Sequence, residues 1–100
     1  MRIISDSRLR EIAAKYPNSQ SNIRTWIKVT KTANWQSLQD TRKTFPSADL
    51  VGQLTVFNIA GNNYRLITRI DYQRHRVYIR YFLTHAEYDK GRWKDDPWNQ

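Results

Sequence analysis

Polar and apolar residues recur with a helical period in the first half of the chain and alternate with a period of two in the second, so the halves predict different elements. Leu9, Ile12, Ala13 and Tyr16 follow at i, i+3, i+4 and i+7, the stripe of an amphipathic helix over residues 7–16. Asp6 or Ser7 offers its N-cap, and Pro17 ends it by pushing the preceding residue out of helical φ/ψ. Ile23, Trp26, Ile27 and Thr30 repeat the stripe in a second helix ending near Thr32, with Arg24, Lys28 and Lys31 on its other sides. Ser37 and Asp40 have capping-box spacing, and Leu38, Thr41 and Phe45 would face inward from one or two further turns before Pro46. Ahead of all these, Arg2-Ile3-Ile4 reads as a short strand.

Beyond residue 53 the pattern changes to strands at 54–59, 64–72 and 77–84, rich in β-branched and aromatic residues. Gly61-Asn62-Asn63 supplies turn chemistry between the first two, because Gly and Asn tolerate positive φ. Tyr64, Leu66, Thr68, Ile70 and Tyr72 lie on one face, and Arg65, Ile67, Arg69 and Asp71 on the other. Arg80 and His85 have opposite parity, so they share a face only if a bulge intervenes; otherwise Arg80 belongs at an edge. The layout is α+β: two to three N-terminal helices packed on one face of a small antiparallel sheet. Without an internal repeat or linker, residues 1–100 form one domain. The polar tail at 90–100 contains two tryptophans, and the pattern leaves both packing back and fraying open.

Charge narrows the partners. Seventeen Lys and Arg against nine acidic residues give a net charge of +8, which favours a polyanion: nucleic acid, the ribosome, an acidic protein or a membrane surface. Cysteine is absent, which fits a reducing compartment and rules out a disulfide framework. No apolar run approaches the roughly 18 residues a membrane span needs, and no signal-peptide core is present. The expectation is a cytoplasmic protein without a membrane partner.

Familiar catalytic motifs are missing: there is no glycine-rich phosphate loop, no G-x-S-x-G elbow and no metal-type His/Cys spacing. What remains is a basic strand face next to a run of proton-transfer groups, Thr84-His85-Ala86-Glu87-Tyr88-Asp89. Arg65 and Arg69 could grip phosphates with their planar forks, with Arg80, Lys90 and Lys31 as further RNA contacts. Tyr88 or Trp93 could stack on bases. Cutting RNA without a metal needs a base on the 2′-hydroxyl, a cation on the phosphate and an acid at the leaving 5′-oxygen. His85, Arg65 and Tyr88 could divide those tasks. Glu87 would orient the imidazole or remain an exposed carboxylate, and Asp89 could cap the turn. Such a face also suits a non-catalytic RNA- or ribosome-binding module.

The runs VFNIAGNNYRLITRIDY (56–72) and VYIRYFLTHAEYDK (77–90), with Tyr16-Pro17 and Lys31-Thr32-Ala33-Asn34-Trp35 upstream, resemble the HigB-type toxins of bacterial type II toxin–antitoxin modules. The resemblance implies a RelE-like fold and an endoribonuclease that cleaves mRNA, often on the ribosome. It also implies a HigA-type antitoxin as partner and no metal or organic cofactor. In such relatives Arg65 would correspond to a phosphate-binding arginine. His85 would fall near a second catalytic arginine or other polar residue, and Tyr88 would stand in for a C-terminal catalytic tyrosine. Val56 and Asn58 stand where RelE carries lysines, which would leave more of the proton chemistry to His85.

Overall fold

The alternating stretches become a five-stranded sheet in the computed structural model, which describes residues 1–99. β1 (Arg2–Ile4) precedes α1 (Asp6–Ala13), a 3-10 turn (Pro17–Ser19), α2 (Gln20–Thr32) and α3 (Leu38–Thr44). Then come β2 (Asp49–Val51), β3 (Leu54–Ile59), β4 (Tyr64–Asp71), β5 (Arg76–Thr84) and α4 (His85–Asp89), followed by 3-10 turns at Arg92–Asp95 and Pro97–Asn99. The strand order is β1-β5-β4-β3-β2.

Three N-terminal helices pack on one face, as the stripes predict. Ile23, Trp26, Ile27 and Thr30 are all buried in α2, and Leu9 and Ala13 in α1. They meet Phe57, Ile59, Leu66, Ile70, Val77, Ile79 and Phe82 from the sheet. Trp26 and Phe57 meet edge-on at 5.3 Å, the geometry that an aromatic quadrupole favours. Ser37 caps α3 by accepting from the Asp40 N–H at 3.4 Å, while the Asp40 carboxylate accepts from Gln36 N–H rather than from the cap residue. The capping box is therefore only half formed.

The sheet is mixed, not purely antiparallel as the hairpin signals predict. β1 runs parallel to β5, with Ile3 opposite Val77. A pairing so distant in sequence needs the helices as its crossover, and local alternation carries no trace of it. β2, three residues on the far edge, was also invisible to the alternation. Between β3 and β4 the positive φ falls on Ala60 (53°) and Gly61 (66°), one residue earlier than the Gly-Asn-Asn run suggests. Opposite Ile67 and Thr68 the partners on β5 are Tyr81 and Ile79, so Arg80 is the extra residue of a bulge. The parity of Arg80 and His85 calls for such a bulge, although His85 itself lies past the strand at the start of α4.

The second face of the sheet is covered. Leu54, Val56 and Ile67 form a small separate core with Trp93, and Val51, Tyr81, Leu83 and Tyr88 pack around it. The tail folds back because this apolar strip on β3 and β4 needs shielding from water, and Trp93 supplies the area while Trp98 stays partly exposed. No helix among the described residues is long and apolar enough to cross a membrane.

Candidate functional site

Where β5 ends, Thr84 starts a helix. Its hydroxyl accepts from the Glu87 N–H at 3.3 Å, and Glu87 Oε1 accepts from the Thr84 N–H and hydroxyl, each at 3.0 Å. This is a complete capping box, and it occupies Glu87. The His85 N–H donates to Asn63 O at 3.0 Å, tying α4 to the β3–β4 turn. With His85 at the first position of α4, residue i+4 is Asp89, and its Oδ2 lies 3.0 Å from His85 Nδ1. The carboxylate that orients the imidazole is thus Asp89 rather than Glu87. Both groups are exposed, so the pair adds little stability, but it directs Nε2 to be the nitrogen available to a substrate.

Tyr88, three residues after His85, turns over the sheet. Its ring stacks on Trp93 at 5.0 Å and 13°, and Trp93 Nε1 donates to Tyr88 O at 3.0 Å. The Arg65 guanidinium lies 5.2 Å from the centroid of the same ring. Arg65 is 8% exposed, and its donors go to Asn62 O, Tyr64 O and Asn62 Oδ1 at 3.1, 3.1 and 2.9 Å. The expected phosphate-gripping arginine is instead folded against its own turn and roofed by Tyr88.

A second ionic centre lies further along the same face. Arg80 donates to Asp96 Oδ2 from Nε and Nη2 at 3.1 and 2.8 Å, and the Asp96 side chain is fully buried. Burial alone would raise the Asp96 pKa. The Tyr81 hydroxyl, the Arg80 guanidinium and the Trp98 N–H outweigh it, so the carboxyl lies below its ordinary range. The same bond to Asp96, followed by burial, raises the Tyr81 phenol. Arg69 donates to Trp98 O, and Arg80 lies 4.2 Å from the Trp98 ring centroid.

The structure therefore brings Arg65, Tyr88, His85, Arg69 and Arg80 to the face opposite the helices or to its rim. A cleft of about 330 Å³ on the same face is lined by Tyr81, Leu83, Glu87, Lys90, Arg92 and Trp93, and so by none of those five side chains. Lys31 is elsewhere: on α2 in the helical layer, 2.8 Å from Asp6, whose pKa the ammonium lowers. Among the described residues no three His, Cys, Asp or Glu side chains group as metal ligands. Sequence reasoning missed Asp96 altogether and did not join Asp89 to His85. The second had a legible signal, since Thr84-x-x-Glu87 marks a helix start and so puts Asp89 one turn from His85.

Comparison with known proteins agrees with this architecture. The model of the HigB toxin family, described as the RelE-like toxic component of a toxin–antitoxin system, matches residues 19–91. The mRNA interferase HigB of Escherichia coli O6:H1 is 32% identical over 93 residues, 90% of each chain. The mRNA interferase toxin HigB of Escherichia coli K12 is 28% identical, over 89% of this chain and 88% of its own. The mRNA interferase HigB of Shigella flexneri aligns to the same extent. A family match over residues 19–91, most of the chain, places this protein in the HigB family of RelE-like toxins.

Proposed function

We propose that this protein is an mRNA endoribonuclease, the toxin of a toxin–antitoxin pair, working at the junction of β5, α4 and the tail. The observation that carries the chemistry is the His85–Asp89 pair at the rim of an arginine-rich face. In this reading Asp89 keeps the proton on His85 Nδ1, and neutral Nε2 accepts the proton of an RNA 2′-hydroxyl. The 2′-oxygen attacks phosphorus, and the bond to the 5′-oxygen breaks with a proton from an acid such as Tyr88. The products are a 2′,3′-cyclic phosphate and a 5′-hydroxyl, and no metal enters. Arg65, Arg69, Arg80 and Lys90 supply positive potential along the strand's path.

Arg65 reaches a phosphate only after Tyr88 swings away, because the ring lies over the guanidinium. Its burial is also what a non-catalytic RNA-binding module would display, with Arg65 serving to brace the β3–β4 turn. Two further parts of the proposal rest on the family alone: a HigA-type antitoxin that neutralises the protein, and translated mRNA on the cytoplasmic ribosome as substrate.

The test is cleavage of a defined mRNA by the purified protein, with and without translating ribosomes. A cyclic phosphate at the new 3′ end, lost in His85→Gln, is the expected result. Intact RNA in both settings, with binding retained, would leave the module reading standing instead.

A further inference from the structure

Trp98 is fixed more firmly than its exposure explains. The residue is 40% exposed, yet its N–H donates to the buried Asp96 at 2.7 Å and its carbonyl accepts from Arg69. Arg80 lies against its ring, and Tyr78 meets it edge-on at 5.0 Å and 80°. An ordinary surface tryptophan either buries its area or moves. One held by its backbone, with Arg80 over its ring and part of that ring still exposed, is pre-organised for contact, because little entropy remains to be lost on binding. Next to the ring is a hollow of about 570 Å³ lined by Arg69, Tyr72, Arg74 and Tyr78 among others. Arg74 is 71% exposed and its 3.6 Å pairing with Asp71 is a surface contact that a phosphate can replace. These groups combine a stacking platform with cations, the pairing that holds single-stranded nucleic acid.

We propose that this hollow is a second nucleotide subsite, where a base of single-stranded RNA stacks on Trp98 and a neighbouring phosphate meets Arg74 and Arg69. The proposal rests on the RNA-cleaving reading above and gives the same strand a second hold. Arg65 and Arg69 are four residues apart on β4, roughly 13 Å along the strand, which about four stacked nucleotides span. Trp98 lies beyond residue 91, where the family match ends, so this hold belongs to the chain's own tail. The basic surroundings suit either an acidic peptide or RNA, and the exposed part of the Trp98 ring favours RNA, whose bases can stack on it.

Binding of 2′-O-methyl oligonucleotides, which cannot be cut at the 2′-oxygen, tests the subsite. Lengths of about two and about ten nucleotides distinguish one hold from two, because about four are needed to span from Arg65 to Arg69. Trp98→Leu keeps apolar bulk for the tail to pack, whereas Trp98→Phe also keeps a ring to stack. The expected result is an affinity for the longer oligonucleotide about tenfold lower in Trp98→Leu and little changed in Trp98→Phe, with the shorter one indifferent to both. Leu and Phe variants that bind the longer strand equally, whether tightly or weakly, overturn the subsite. So does a Trp98→Leu protein that loses an acidic peptide but not RNA. If the wild type cleaves mRNA while Trp98→Leu binds normally, only this inference fails. If the wild type neither binds nor cuts RNA, the functional reading fails with it.

Discussion

On the helical side of the sheet Trp26, Trp35 and Phe57 interlock with Leu66, Ile70 and Val77, while on the other side Leu54, Val56, Ile67 and Trp93 share their face with Arg65, Arg69 and Arg80. The first face is held by apolar area and shape. The second holds a thin apolar strip, and each arginine is matched to something specific: a turn carbonyl, a tail carbonyl or a buried carboxylate. A fold can keep charged groups so close to its core only where their donors are satisfied. That makes the tail side weaker in bulk and richer in chemistry, which is where a site for a polyanion belongs.

The largest expected effect breaks the apolar face. Phe57→Ala removes the ring that Trp26, Trp35 and Phe45 all contact, and should cost about 3–5 kcal/mol in urea unfolding, lowering both faces together. A loss below about 1 kcal/mol would mean that the helical layer is not the main source of stability.

Asp96→Asn acts on the other face. It removes the charge opposite Arg80, whose side chain is a quarter exposed and so partly hydrated, and should cost about 1–3 kcal/mol. Limited proteolysis should then cut the tail well before the helices. The pH dependence has a definite sign. Asp96 and Asp6 both titrate below their ordinary value in the folded chain, so their contribution is complete above about pH 3.9 and is lost as pH falls below it. Asp96→Asn should flatten the acid limb of the stability curve, and an unchanged limb would contradict the assignment.

The smallest effect concerns the helical surface. Lys31→Gln gives up an exposed pair with Asp6 and should change stability by less than about 1 kcal/mol. Since Lys31 is across the sheet from Arg65, RNA affinity should fall only slightly through lost net charge.

The same contrast decides what the sequence could tell. The stripe Ile23, Trp26, Ile27, Thr30 is fully buried because a helix's inner face is set by its own period. The alternation in β4 likewise sends Leu66 and Ile70 to the helices and Ile67 to the tail side. Features that depend on distant partners were not legible in this way. β1 finds β5 only after three helices have brought it round, and Asp96 gains meaning only when Arg80 bulges out of β5 to meet it. The alternating pattern puts Arg65 on the open face of β4 and carries no sign that it is buried there. Its burial follows from Tyr88, whose position depends on a capping box and on Trp93 stacking behind it.

Cleavage of one defined mRNA by wild type, Lys31→Gln and His85→Gln measures the contrast most directly. The account predicts a Lys31→Gln rate within about twofold of wild type, and a His85→Gln rate lower by about 10²–10⁴-fold with its unfolding midpoint unchanged. A His85→Gln protein that cuts the mRNA at the wild-type rate would show that the chemistry does not belong to the rim of the arginine face.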